Sequence, residues 1–508
     1  MSGRWGVVQN HDGSLKLRRP VHQPIAERPD RMEEACGVYA VLADGQPVAN
    51  LTYFGLYSLQ HRGQESAGIA VFNHGKVRLH KDMGLVSQVF DQDVLARMPG
   101  NLAIGHNRYS TTGSSKACNA QPVVLMTRLG PFAFAHNGNL VNAAELRDKL
   151  DDGQTEFTST TDSELIAFAI QQAVNRGLDW KPAIIEAAAM CRGAFSLVIG
   201  TVDALYALRD SYGVRPLVFG RLGDAESGHW VVSSESCGLD IIGAAFEADV
   251  EPGELITFRL GDTEPQREQW AEPSTRMCVF EMIYFARPDS RFFGESLYSY
   301  RQRIGQILAR ESGVEADLVI GVPDSGIPAA IGFSQASGIT FADGLIKNRY
   351  VGRTFIQPTQ AMREAGIRVK LNPLPDVLAG KRVVVIDDSI VRGTTSRKLV
   401  QALRDAGATE VHMRISSPPV THPCFYGIDT DTQDQLIAAR LTVKQIEDHL
   451  KVDTLAYLSK EGMVEAAHAS SEHFCTACFD GSYPIPMDDS VRSSKLMLEP
   501  SGVAASKG

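Results

Sequence analysis

A chain of 508 residues, 44% of them hydrophobic and 22% charged, is too long for one core and predicts roughly two to four domains of ordinary globular composition. A formal charge of −10, from 50 basic against 60 acidic residues, excludes the broad basic face that a nucleic-acid binder needs and leaves only local sites for small anions. No apolar run approaches the roughly 18–20 residues of a membrane span.

In chain order, residues 1–35 form a polar leader. They lack the apolar stretch of a signal peptide, and Asp12, Glu27, Asp30, Glu33 and Glu34 among the arginines do not fit a transit peptide; a cytoplasmic protein is expected. From Cys36 to about residue 256, short apolar strands alternate with Gly and Asn turns, and helical periodicity recurs in "NAAELRDKL" and "SELIAFAIQQAV". One α+β unit is predicted, ending where the polar, Pro-containing "RLGDTEPQREQWAEPSTR" places a boundary at about residue 271. Beyond it, "ADLVIGVPDSGIPAAIGF" and "KRVVVIDDSIVRGTTSRKLVQALRDAG" each read as a buried parallel strand, a loop and a helix. That alternation predicts an α/β domain over 272–490, followed by a flexible tail over 491–508.

The most specific signal is "VVVIDDSIVRGTTS", residues 383–396. Asp387 and Asp388 end a buried strand, where open α/β sheets place their ligands. Gly393, Thr394 and Thr395 open a helix whose N–H groups, hydroxyls and dipole suit a phosphate. This stretch resembles the phosphoribosyl pyrophosphate (PRPP) fingerprint of type I phosphoribosyltransferases. The resemblance implies that Asp387 and Asp388 meet ribose hydroxyls and Mg2+, and that the loop of Ser389, Arg392, Gly393, Thr394 and Thr395 holds PRPP by its 5′-phosphate. Ser325, at a second strand end in "VIGVPDSGIP", would add a hard oxygen beside the ion, although alone that segment reads equally as a plain βα turn. The basic run "KNRYVGRTFIQPTQAMREAGIRVKLNP", with Lys347 and Arg349, is by the same resemblance a flap over PRPP.

In the first half, Cys36 is followed by "LQHRGQESAGI", "IGHNRYSTTG", "AFAHNGNL" and "TSTTDSEL", each dense in polar groups that a simple core would exclude. A thiol that cleaves an amide needs a base, an oxyanion hole and a grip on the substrate. His61, His106 and His136 show no Cys-His-Asp spacing and read as structural residues of tight turns. The alternative base is the α-amino group of Cys36 itself, exposed by removal of the leader and titrating near 8. The ordered segments resemble the class II glutamine amidotransferases, whose N-terminal nucleophile sits in an αββα sandwich. That resemblance implies Cys36 as the nucleophile on the γ-amide of glutamine, with Asn137 and the Gly138 amide as the oxyanion hole. Arg108 would grip the α-carboxylate in bidentate fashion, Asp162 would accept the α-ammonium group, and Arg62 would close over Cys36.

Eight cysteines in a cytoplasmic chain are not a disulfide framework. Cys475 and Cys478 in "FCTACF" have the C-x-x-C spacing shared by zinc, iron–sulfur and redox sites, and any site there must draw two more ligands from remote single cysteines. The union of a glutaminase with a PRPP domain resembles the glutamine-dependent PRPP amidotransferases, in their iron–sulfur subfamily with an N-terminal propeptide. By that resemblance Cys278 and Cys424 join Cys475 and Cys478 around a [4Fe–4S] cluster, whereas Cys118, Cys191 and Cys237 read as small buried residues. It further implies that ammonia from Cys36 attacks C1 of PRPP to give 5-phosphoribosylamine, glutamate and pyrophosphate, the first committed step of purine synthesis. Mg2+ as cofactor, purine nucleotides as inhibitors and a homotetramer follow from the same likeness. Two rival readings are amidotransfer to another acceptor, such as a sugar phosphate, and a PRPP-fold nucleotide sensor. The intact RGTT loop speaks against the first and the intact nucleophile against the second.

Overall fold

The computed structural model describes residues 36–487 apart from 110–113, 154, 155, 225, 227, 349–370 and 431, together with the backbone of two short paired strands, Gly6–Gln9 and Leu15–Arg18. Among these residues no helix is long and apolar enough to cross a membrane.

The strand Gly37–Leu42 is apolar on both faces because it lies between two layers. Val38, Ala40 and Leu42 point into a core shared with a second sheet, and Tyr39 and Val41 point the other way, toward Leu56 and Leu59 of the helical layer; this is the period-2 alternation of a strand. It is central in an antiparallel seven-stranded sheet of order Ala245–Asp249, Val218–Arg221, Trp230–Ser233, Gly37–Leu42, Leu102–Arg108, Ser66–Asn73 and Lys76–Met83. The facing six-stranded sheet runs Gln266–Gln269, Glu254–Phe258, Leu205–Arg209, Gly193–Gly200, Gly130–Leu140 and Val123–Thr127. Helix Val48–Ser58 covers the outer face of the first sheet. Helices Asp162–Asn175 and Trp180–Met190 cover the second through Ile166, Ile170 and Ile184 on Phe132, Phe134 and Leu197. The first half is thus an αββα sandwich, an α+β unit of the kind that the resemblance implies.

The polar stretch before residue 271 is not wholly a linker. Gln266–Gln269 pairs with Glu254–Phe258 as the edge of the six-stranded sheet. An edge strand facing water has no need of an apolar pattern, which is why it reads as a break.

The second half carries four parallel strands in the order Leu318–Gly321, Arg382–Asp387, Glu410–Ile415 and Thr454–Tyr457. Val384 and Ile386 face helices Leu297–Glu311 and Ile327–Ser337, while Val383 and Val385 face helices Thr394–Asp405 and Val443–Leu450. This parallel sheet with helices on both faces is the α/β domain that the alternation of strands and helices predicts. The two halves meet across a buried seam in which Val141, Ala194 and Val214 pack with Phe280, Val391, Tyr426 and Ile485.

Candidate active sites and a buried cysteine patch

Cys36 stands at the foot of the central strand. Gly37 pairs with Asn107 of the neighbouring strand, so Arg108, one residue further on, comes beside the thiol. Together with Asp162, Gly138 and His136 they line one cavity, completed by Tyr109, Gln121, Thr161 and Ser163. Cys36 is 6% exposed, and its sulfur's one hydrogen bond among the described residues is donated to the Tyr109 carbonyl at 3.4 Å. Burial pushes the thiol up to about 12; Arg108 pulls it back, and Asp162 and Glu65 add to the rise. In the uncut chain it is therefore a thiol rather than a thiolate near neutral pH, and it needs a base to react.

The histidines do not supply one. His61 Nε2 lies 2.7 Å from Glu235 Oε1, and His106 Nε2 lies 3.1 Å from the His136 carbonyl, with burial holding its ring down to about 3. His136 Nδ1 bonds Ser163 Oγ at 3.0 Å, and burial lowers its affinity for a proton as well. His61 sits in a turn as expected, but the turn reading fails for the other two: His106 lies in the strand Leu102–Arg108 and His136 in the strand Gly130–Leu140, where it also forms part of the cavity wall.

Asp162 is the first residue of helix Asp162–Asn175, whose N-cap Thr161 accepts a hydrogen bond from the Glu164 amide. One Asp162 oxygen accepts from the Leu140 amide at 2.9 Å; the other faces Ser163 Oγ at 3.5 Å and His136 Nδ1 at 3.9 Å. Asn137 lies on the facing sheet, opposite Ser196, fully buried, and neither its Nδ2 nor its Oδ1 has a hydrogen-bond partner among the described residues. Such a buried, unsatisfied amide is costly unless a ligand completes it. Gly138 has φ +148, and a Cβ there would fall 2.0 Å from the Ala194 carbonyl oxygen, so only glycine brings that backbone to the cavity.

The structure corrects the expectation for Arg62. Its guanidinium does not line the cavity; it is 1% exposed and donates to Glu235 Oε1 at 2.6 Å and to Glu281 Oε1 at 2.7 Å, with Nε reaching the Cys36 carbonyl at 3.3 Å. Arg62 supports the nucleophile from behind. Sequence reasoning missed Gln121, which donates to Ser163 Oγ at 3.0 Å and accepts from the His136 amide at 2.9 Å; nothing in "ACNAQPV" marks it. It also missed Glu235, Glu281 and Arg215, all fully buried.

In the second half, Asp387 ends the strand Arg382–Asp387, and Asp388 and Ser389 follow it into the loop, all three buried. Asp388 accepts from Ser389 Oγ at 2.8 Å and from Ser325 Oγ, so two adjacent strand ends meet at one carboxylate. Asp387 Oδ1 accepts from the Asp388 amide at 3.0 Å. Lys347 ion-pairs with Asp324, next to Ser325, which brings it to the same strand ends. Gly393 turns the loop with φ +82 and is the N-cap of helix Thr394–Asp405, placing Thr394 and Thr395 in its first turn. Arg392 lies in the same loop, while Arg349 and most of the basic run fall outside the described residues.

Of the four cysteines named for a cluster, Cys278, Cys475 and Cys478 share one buried patch at the seam between the halves, with Phe280 and Tyr426, and the partly buried Cys424 packs against it. Met277–Cys278 pairs in parallel with Phe474–Cys475, setting Cys278 directly against Cys475; Cys478 follows one turn later in the short helix Ala477–Asp480. All are free thiols. Burial pushes Cys278 up to about 11 and raises Cys475 and Cys478 as well, with neighbouring cysteines adding to each rise. Among the described residues no three His, Cys, Asp or Glu side chains form a group that could hold a single metal ion.

Residues 106–240 match the glutamine amidotransferase domain family and residues 301–416 the phosphoribosyl transferase domain family. The chain is 67% identical to the amidophosphoribosyltransferase of Synechococcus elongatus over 93% of its own length and 96% of that relative's. It is 50% identical to that of Mycobacterium tuberculosis over 94% and 91%. A solved glutamine PRPP amidotransferase from B. subtilis, complexed with ADP and GMP, shares 44% identity and superposes with a TM-score of 0.83, covering 89% of this chain and 98% of that one. A solved structure described as the allosteric regulatory enzyme of purine biosynthesis gives a TM-score of 0.84 at 44% identity, over 90% and 97%. The chain belongs to the amidophosphoribosyltransferase family, the enzymes that use glutamine to convert PRPP to 5-phosphoribosylamine at the first step of purine biosynthesis.

Proposed function

We propose that the two sites divide this reaction between Cys36 and the Asp387–Asp388 loop. The observation that carries the proposal is the convergence of Cys36, Arg108, Asp162 and Gly138 on one cavity, with the unpartnered amide of Asn137 on the adjoining strand. Removal of residues 1–35 would free the Cys36 α-amino group to take the thiol proton, a task that no described histidine performs. The thiolate then attacks the glutamine γ-amide. Asn137 Nδ2 and the Gly138 N–H stabilise the oxyanion, Arg108 binds the α-carboxylate and Asp162 the α-ammonium. Water releases glutamate from the thioester, and ammonia crosses the apolar seam between a glutaminase domain over 36–271 and a phosphoribosyltransferase domain over 272–490.

At the second site the first turn of helix Thr394–Asp405, with Arg392 and Ser389, holds the 5′-phosphate. Asp387 and Asp388 hold the ribose hydroxyls, and Lys347, with Arg349 of the flap, neutralises phosphate charge. The donor set of Asp387, Asp388 and Ser325 is the hard-oxygen chemistry Mg2+ requires. That ion would supply neutralisation of the departing pyrophosphate. Cys278, Cys424, Cys475 and Cys478 are the soft donor set of a [4Fe–4S] cluster, which would serve the fold, since neither half-reaction transfers electrons. Purine nucleotides, as ribose 5-phosphates, compete for the RGTT loop; the B. subtilis relative bound to ADP and GMP supports this. The enzyme acts as a cytoplasmic homotetramer.

The test is release of pyrophosphate and glutamate by anaerobically purified protein given PRPP, Mg2+ and either glutamine or ammonium chloride. Equal release of both products from glutamine, with ammonia able to replace it, is expected. Glutamate without pyrophosphate would sink the two-site assignment. For the cluster, iron chelation is expected to lower the melting temperature, and an unchanged temperature would remove it.

A further inference from the structure

Behind the nucleophile, four charged side chains are buried together, each at most 1% exposed: Arg62, Arg215, Glu235 and Glu281. Glu281 Oε1 accepts from Arg62 Nη2 at 2.7 Å and from Arg215 Nη1 at 2.9 Å, and its Oε2 accepts from Arg62 Nη1 at 3.0 Å. Burial opposes its charged form, yet the two guanidiniums hold its carboxyl below the usual range. Arg62 Nε continues to the Cys36 carbonyl, and Arg215 Nε to the Tyr426 carbonyl at 2.9 Å. The contacts therefore run unbroken from the peptide of the nucleophile to a loop of the second half.

The same loop has a second arm. Asn139 Nδ2 donates to the Phe425 carbonyl at 2.9 Å, and Gly427 packs so closely on Gly138 that an added Cβ would lie 3.2 Å from the Gly138 carbonyl carbon. One short segment, 425–427, thus touches the oxyanion strand directly and the nucleophile through two arginines and one acid. It follows the strand Glu410–Ile415, which pairs alongside Asp387; the Ser416 amide donates to the Asp387 carbonyl at 2.9 Å. The acids of the PRPP loop and both sides of the glutamine cavity are joined within a few residues of chain.

We propose that Glu281 is a positioning residue, which with the 425–427 loop sets the distance between Cys36 and the Asn137–Gly138 oxyanion hole according to the state of the PRPP site. The inference deepens the two-site reading and rests on Cys36 as the nucleophile. Stability alone does not call for this arrangement, because well-packed apolar side chains hold a seam as firmly as buried ion pairs do. Charged forks add angular constraint at the Cys36 peptide, and the π-helical turn Glu281–Phe285 that presents the acid is a form that recurs at functional sites. A path of contacts is not yet a coupling, so the test measures coupling itself.

The experiment compares wild type with Glu281→Gln, Glu281→Asp and Asn139→Ala. It measures glutamine kcat and KM, ammonia-dependent pyrophosphate release, and the stimulation of glutamate release by PRPP. In Glu281→Gln, glutamine kcat should fall about tenfold or more with KM little changed, PRPP stimulation should collapse, and the ammonia-dependent rate should stay within about twofold of wild type. Glu281→Asp should recover part of the stimulation. Asn139→Ala, which cuts the second arm without stranding a buried charge, should lose stimulation at an unchanged melting temperature, and it carries the test if Glu281→Gln does not fold. Full stimulation in Asn139→Ala, or parallel loss of glutamine and ammonia activities in Glu281→Gln, would overturn the proposal. A Cys36→Ser control that kept glutamine activity would instead overturn the nucleophile assignment, leaving the two failures distinguishable.

Discussion

Replacing Asn137 by alanine separates a residue built for the reaction from one built for the fold. Its side chain is fully buried, and both amide atoms lack partners among the described residues. Each unsatisfied buried polar group costs about 1–3 kcal/mol, so alanine relieves that strain. Against this stands the small cavity left behind, on the order of 1 kcal/mol at about 24 cal/mol per Å3. With two such groups relieved, the balance favours alanine, and stability should hold or rise. In the reaction the same amide is one of two oxyanion donors, and loss of one such donor costs about 10²–10³ in kcat, or about 2.7–4 kcal/mol. The assays are glutamate release with PRPP and Mg2+ present, ammonia-dependent pyrophosphate release, and thermal unfolding. The expected pattern is a hundredfold or greater fall in the first (about the lower end of that range), with the second unchanged and the melting temperature held or raised. A melting temperature lowered by more than about 8 °C, together with a proportionate loss of ammonia-dependent activity, would show that Asn137 is a structural residue.

Cys36→Ser should abolish glutamine-dependent activity and leave the ammonia-dependent reaction intact; equal loss of both would refute separate sites. Asp388→Asn should lower both pyrophosphate-releasing reactions by about a hundredfold or more, since charge is removed where metal and ribose would bind, while the protein still binds glutamine by calorimetry. His106 is buried, with its folded value down to about 3 against an ordinary 6.5. The unfolded chain binds that proton first, so the stability contribution is complete above pH 6.5 and is lost as pH falls from there toward 3, at no more than about 1.4 kcal/mol per pH unit. Urea midpoints at pH 7.5 and 5 should therefore converge in His106→Asn relative to wild type, and an unchanged difference would exclude this group.

The layers and the PRPP loop were legible because their signals are local. A strand such as Arg382–Asp387 carries its burial in consecutive residues, and the loop after it carries its chemistry within eight more. The αββα sandwich was legible through the resemblance that the ordered polar motifs carry; those around Arg108, His136–Gly138 and Thr161–Ser163 reach the cavity, while the one around Arg62 lies behind it. The edge strand Gln266–Gln269 was not, because its register is held by backbone bonds and its side chains meet water. Arg62 was placed on the wrong side of Cys36 for a related reason. Its acids, Glu235 and Glu281, come from turns far along the chain, and no periodicity connects a guanidinium to a carboxylate in another layer. Gln121 and Arg215 share that blindness: their roles exist only once the two sheets are stacked. His136 reads as a turn residue beside Asn and Gly, but it lies within the strand Gly130–Leu140 and walls the cavity, because its neighbour Gly138 is held there by strand pairing rather than by a turn.

The parallel pairing of Met277–Cys278 with Phe474–Cys475 also orders events in time. The first partner leaves the ribosome roughly 200 residues before the second, an interval of about 10–40 s at typical rates of synthesis. The glutaminase sandwich, complete by Gln269, can form during that interval, yet the patch between the halves lacks Cys475, Cys478 and Ile485 until Phe474–Cys475 and the residues after it arrive. A chain paused before that point carries the contacts from Arg62 through Glu281 and Arg215 to Tyr426, but not the strand pairing that closes the patch beside them. Truncation just before Phe474 should leave the glutamine cavity built but deprive Tyr426 of its hydrogen bond to the Ile485 carbonyl, loosening the loop that meets Arg215.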